Sequence, residues 1–342
     1  MKHIFGVSSH LAFYLCQRII EQDSLKTEDC LFFTIDGYTL PSEYRSRYRS
    51  VDIYELLSST RGRVFAGLRF WHTSENIAII DRRIEQLVGD EPFLWYTQIC
   101  FNDLCSVMVT NPSCVGYYVI EDGSGSYYLD DTPTFQGWQA VVYHCFLKPF
   151  YPRIYTLKNH FIESDHPKFK GCIASNEMCF PYHKQYLRVV GMPFQPVPLA
   201  IAPDAIVSID PIFRWGITDE QARHIIRQIA TFVNKQNYQR LAYKVHPALL
   251  SPQQAERYQL YNQWVHEYFT ATLEELAPQV SLENTLMAHS HCDFYTAVST
   301  VVIYAHVMGV KCYTYCPLLR QYVDKNVPFI EDMCIPVSPE QL

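Results

Sequence analysis

Short apolar runs alternate with amphipathic stretches along most of the chain. Residues 4–7, 31–35, 64–68, 93–99 and 115–120 are near-continuous apolar segments of strand length. Runs of this kind predict strands buried on both faces, as in a parallel sheet. Helical periodicity follows several of them, for example over 74–87. The alternation predicts an α/β fold. Within 191–204, Pro193, Pro196, Pro198 and Pro203 make an extended stretch poor in hydrogen-bond donors. The pattern then restarts, with a strand over 205–209, a helix over 218–235, a strand over 241–245, a helix from Pro252 and a strand over 310–315. Thr218 and Gln221 form a capping box, and Ile226, Ile229, Ala230 and Val233 give that helix an apolar face. Ser251, Pro252 and Gln254 make a second helix-start signature. Two α/β domains follow, 1–195 and 196–342, with a ligand cleft expected between them.

The 342 residues suit two domains at about 150 residues each. With 48% hydrophobic and 18% charged residues, the chain is not disordered. Its net charge of −7 argues against a general nucleic-acid binder, which would be basic. No apolar run reaches the ~20 residues of a membrane span. The nearest, 296–310, contains Ser299, Thr300 and His306. The N-terminus reads as strand, turn and helix rather than a secretory leader. A cytoplasmic protein is expected, with any association with the inner membrane surface peripheral. The 12 cysteines include no C-x-x-C pair and are expected to be free buried thiols.

Several chemistries leave no trace. There is no P-loop, no G-x-G-x-x-G after a strand, no G-x-S-x-G elbow and no H-E-x-x-H. The absence of D-x-D gives no support to a metal-bridged sugar-nucleotide site. His289, His291 and Cys292 match no standard zinc spacing. Neither a metal nor a cofactor is expected.

Three places could carry chemistry. An apolar strand ends in Glu121, Asp122 and Gly123, followed by Ser124-Gly125-Ser126. Ligands gather at the carboxyl ends of parallel strands, and a carboxylate there can act as a general base. Asp-Gly is also an ordinary turn dipeptide. A second strand runs into His246 and Pro247, where an imidazole can meet a phosphate or act as an acid. Ser299 and Thr300 open an apolar helical run, where hydroxyls and free N–H groups can hold an anion or simply cap the helix. A base in one domain and a metal-free phosphate grip in the other describe transfer from a phosphate-linked donor.

Taken in order, these residues resemble the bacterial sialyltransferases of the GT-B fold, glycosyltransferase families 52, 38 and 80. That group shares a D/E-D/E-G motif, an H-P motif and a later S-S/T pair. The matches are Glu121-Asp122-Gly123, His246-Pro247 and Ser299-Thr300, within residues 115–316. The resemblance implies two Rossmann-like domains facing each other across a cleft: acceptor-binding 1–195 and donor-binding 196–342. It implies inverting, metal-independent transfer from CMP-sialic acid to a sugar hydroxyl, such as a terminal galactoside of a lipooligosaccharide or capsule. Glu121 would be the base, Asp122 would orient the loop or bind acceptor, and Gly123 would allow the turn. His246, with Pro247 after it, would meet and could protonate the CMP phosphate, which Ser299 and Thr300 would also hold. Glu283 would reach the nucleoside. The pair is often Ser-Ser, and Ser-Thr keeps both hydroxyls.

Rival readings are a transferase for another CMP-ulosonic acid (Kdo or a legionaminic-type sugar), a hydrolase, and a non-catalytic sugar-binding protein. A hydrolase would need a second carboxylate across the sugar, and none stands out. Lys148, Arg153, Lys158, Lys168 and Lys170 could line an anionic acceptor groove. Arg45, Arg47 and Arg49 could face anionic lipid or glycan. Both sets could equally be solvated surface.

Overall fold

A computed structural model describes residues 1–35, 38–52, 73–98, 103–123, 125–128, 162, 164–250, 254–277, 280–297, 299–324 and 328–341. The strand expected over 64–68, the Ser251-Pro252 helix start, and Lys148, Arg153 and Lys158 lie outside these residues. The chain divides into two compact units, Met1–Pro193 and Phe194–Leu342.

The first unit holds a seven-stranded sheet in the order β3-β2-β1-β4-β5-β6-β7. Its strands are β1 (Lys2–Val7), β2 (Cys30–Thr34), β3 (Arg49–Asp52), β4 (Phe93–Thr97), β5 (Cys114–Ile120), β6 (Phe169–Ala174) and β7 (Leu187–Val189). All its described pairings are parallel. Helix α1 (His10–Gln22) starts where the Ser9 side chain accepts from the Ala12 amide. Its Phe13, Leu15 and Ile19 pack onto Phe5, Phe32 and Tyr96 of the sheet. Burying each such side chain favours folding by roughly 1.5–3 kcal/mol. Helix α2 (Thr73–Val88) lies between β3 and β4, and α3 (Asp103–Thr110) between β4 and β5.

The second unit holds a six-stranded sheet in the order β10-β9-β8-β11-β12-β13. The strands are β8 (Ala205–Ile209), β9 (Arg240–Val245), β10 (Thr272–Glu275), β11 (Asp293–Thr296), β12 (Cys312–Thr314) and β13 (Ile335–Pro336). Again every described pairing is parallel. Helix α4 (Asp219–Asn234) carries the complete Thr218–Gln221 capping box. Its apolar face, with Ile226, Ile229, Ala230 and Val233, is buried against β8 and β9. Helix α5 (Ala255–Tyr268) begins after Gln254, whose side chain makes no capping bond. Helices α6 (Leu282–Ala288) and α7 (Val301–Val307) flank β11.

Both sheets are doubly wound, so chain direction across the sheet reverses at one place in each. The reversal lies between β1 and β4 in the first unit and between β8 and β11 in the second. The crevice beyond the carboxyl ends of such a strand pair is where open α/β sheets bind ligands. The described cysteines are free thiols, nine of them buried. No helix among the described residues is long and apolar enough to cross a membrane.

Candidate functional site

In the first unit β5 delivers Glu121 and Asp122 to the carboxyl edge of the sheet. The two side chains have opposite fates. Glu121 is wholly buried. Its Oε1 accepts from the Tyr127 hydroxyl at 2.5 Å and its Oε2 from the Ser175 amide at 2.8 Å. Burial, then the Glu121 charge, pushes the Tyr127 phenol far up, so Tyr127 remains a donor. Asp122 is half-buried, with Oδ1 accepting from the Gln98 side-chain amide at 2.6 Å. Gln98 in turn accepts from the amide and hydroxyl of Ser8 at 3.0 and 2.6 Å. Ser8 follows β1 and Gln98 follows β4, so this chain of bonds ties Asp122 to the strand reversal. Gly123 has φ +61°, the left-handed turn its lack of a Cβ permits. The Asp122 amide donates to the Ser126 hydroxyl at 2.8 Å and closes the turn.

The family resemblance implies Glu121 as the base. The geometry gives Glu121 two committed oxygens and leaves Asp122 the more exposed of the pair.

In the second unit β9 ends at Val245, and His246 follows at the carboxyl edge. Its amide donates to the Ile209 carbonyl at 3.0 Å. The Ala248 amide donates to His246 Nδ1 at 3.1 Å, within the short turn Pro247–Leu250. With Nδ1 accepting, the neutral ring carries its proton on Nε2. Burial lowers the imidazole below its ordinary value, Asp210 opposes this, and Arg214 and Lys244 add to it.

Lys244 lies two residues before His246 and so on the same face of the strand. It is buried, and its ammonium donates to the Val280 carbonyl. Burial lowers its pKa and Glu283 opposes the shift. Glu283 sits in the first turn of α6 and accepts from the Ser281 hydroxyl at 2.7 Å. The structure therefore brings Glu283 electrostatically close to Lys244, beside His246 along β9.

Ser299 and Thr300 follow β11 and open α7. The Ser299 hydroxyl accepts from the Val301 amide at 3.3 Å, while the Thr300 side chain makes no capping bond. Gly309 closes the helix at φ +76°. His246, Ser299 and Thr300 thus stand at the ends of β9 and β11, the two neighbours of β8.

Sequence reasoning missed Gln98, Tyr127, Ser175, Lys244 and Asp210. Lys244 carried a signal, because alternate residues of a strand share a face. Asp210 did too, as a lone carboxylate ending an apolar strand. Tyr127 follows Glu121 by six residues, whereas Gln98 and Ser175 reach the site through tertiary pairing alone. Among the expected basic patches, Lys168 donates to the carbonyls of Val109 and Asn111, Arg45 to that of Leu40, and Arg49 to that of Leu87. Arg47 lies over the Tyr48 ring. Among the described residues no three His, Cys, Asp or Glu side chains are grouped to hold a metal ion.

No protein-family model matches the chain, and no curated protein matches it. Solved structures do match in fold. A sialyltransferase from Photobacterium damsela is 12% identical with a TM-score of 0.55, over 98% of this chain and 77% of its own. The UDP-GlcNAc 2-epimerase of Methanocaldococcus jannaschii is 12% identical with a TM-score of 0.52, over 100% of this chain and 90% of its own. The same enzyme in complex with UDP-GlcNAc and UDP is 10% identical with a TM-score of 0.50. The architecture is a two-unit α/β fold of the GT-B type.

Proposed function

We propose that this protein is an inverting, metal-independent sialyltransferase that moves sialic acid from CMP-sialic acid to a sugar hydroxyl. One observation carries the reading. Ser299 and Thr300 follow β11, which with β8 forms the strand pair at the reversal where a doubly wound sheet binds its ligand, and His246 follows β9 on the other side of β8. One imidazole N–H and two hydroxyls make a small grip, suited to the single phosphate of a CMP donor.

In this reading Asp122 takes the proton from the acceptor hydroxyl. Glu121, held by Tyr127 and Ser175, fixes the strand end that presents it. The acceptor oxygen forms its bond to the anomeric carbon as the bond to the phosphate oxygen breaks, giving inversion. Positive charge develops on the donor sugar and negative charge on the departing CMP. His246 Nε2–H, Ser299 and Thr300 donate to the phosphate oxygens. His246 acts as a neutral donor rather than the protonating acid, because protonation would set Nδ1–H against the Ala248 N–H. Glu283 and Lys244 meet the nucleoside. The acceptor would be a terminal galactoside, and contact with a membrane-borne glycan would be peripheral.

The test is CMP release from CMP-Neu5Ac and CMP-Kdo, each with and without lactose, in EDTA. Lactose-dependent release from CMP-Neu5Ac is expected. Release from CMP-Kdo alone would move the assignment to that donor. Turnover of UDP-GlcNAc with neither CMP-sugar consumed would overturn the reading.

A further inference from the structure

We infer that Asp210 is a positioning residue of the donor grip, clamping the turn that leads into Ser299 and Thr300 and placing a carboxylate behind His246. This rests on the reading that those three residues meet the donor phosphate.

Asp210 directly follows β8, at the strand reversal, and is 4% exposed. Its Oδ2 receives three donors: the Ala297 amide at 2.7 Å, the Tyr315 hydroxyl at 2.8 Å and the Thr296 hydroxyl at 2.9 Å. These come from the ends of β11 and β12, so one carboxylate joins three neighbouring strands. The Tyr315 hydroxyl also lies 2.9 Å from the Ser208 carbonyl and accepts from the Asp210 amide at 3.3 Å. The Thr314 hydroxyl donates to the Ala297 carbonyl at 2.7 Å. Ala297, two residues before Ser299, is therefore held at both its N–H and its C=O. Burial raises the Asp210 pKa, while the bonds from Ala297, Tyr315 and Thr296 and the charge of His246 oppose the shift; three donors converging on one oxygen match a carboxylate, which only accepts. An apolar residue here would leave the Ala297 N–H buried without a partner.

The link to His246 runs through the backbone. The His246 amide hangs on the carbonyl of Ile209, the residue before Asp210, at 3.0 Å. The charged groups acting on the imidazole are Asp210 beyond β8, Arg214 in the turn after it, and Lys244 on β9 itself. Asp210 is the one anion among them.

Two variants separate charge from clamp. Asp210→Asn keeps an oxygen for the three donors and removes the charge. By NMR titration, the His246 midpoint should fall by about one pH unit, the scale of losing a nearby opposite charge. An unmoved midpoint would overturn the inference. Thr296→Val keeps the charge and removes one clamp donor. It should raise the Kd for CMP about tenfold while leaving the His246 midpoint in place. Unchanged CMP affinity would overturn the clamp. If Asp210→Asn does not fold, Thr296→Val decides. If the wild-type protein binds no CMP, the donor reading fails and the His246 titration still decides the charge.

Discussion

The Ala248 amide donates to Nδ1 of His246 across 3.1 Å and so assigns the ring's remaining proton to Nε2. Burial, opposed by Asp210, holds the imidazole below its ordinary 6.5. A neutral donor works above that folded value and fails below it. The rate should rise as pH climbs toward about 6.5 and then stay level to about 8. A decline over the upper range in a kcat/KM profile would show that the protonated ring is required.

The same direction has a stability consequence. His3, His166, His246 and His289 are all lowered, with burial the leading cause in each. Between the folded values and about 6.5 the unfolded chain binds more protons than the folded one. Stability therefore falls as pH drops through that window. Calorimetry should find Tm decreasing from about pH 6.5 to 5, and a flat Tm would contradict it.

Glu121 and Asp122 should separate by readout. Asp122→Asn should cut kcat at least about a hundredfold, with little change in Tm. Glu121→Gln sets a side-chain amide against Ser175 N–H or Tyr127 O–H, and should lower stability by about 2 kcal/mol. Near-normal turnover by Asp122→Asn would return the base role to Glu121.

Lys244→Met removes a buried ammonium and keeps its length. CMP affinity measured by calorimetry should drop about tenfold or more, the scale of one charged hydrogen bond. An unchanged Kd would remove Lys244 from the nucleoside contact.

Gly171 has φ +143°, and a Cβ there would lie 2.7 Å from the Tyr186 carbonyl oxygen. Gly171→Ala should destabilise the first unit by about 2 kcal/mol or more. Denaturant titration checks this, and β6, which leads to Ser175, should loosen with it.

Much of this architecture is legible in the sequence. β1, β2, β4, β5, β8 and β9 are buried on both faces and read as apolar runs. Thr218 and Gln221 announced α4 through local bonds alone. The edge strands β3 (Arg49–Asp52) and β10 (Thr272–Glu275) are polar and partly exposed, so no apolar run marks them. β11 is four residues long and merges with the apolar helix after it. At the site, His246, Ser299 and Thr300 could be placed because strand and helix ends are local features. The division between Glu121 and Asp122 could not, because Ser175 arrives from β6, more than fifty residues later.

All eleven described strand pairings are parallel. None can therefore form as a hairpin, the quickest route to a sheet. Each strand must wait for a crossover to be synthesised and to close before it finds its neighbour. Pairing therefore lags synthesis, leaving strand edges open to other nascent chains. Cool expression should raise the yield of this protein.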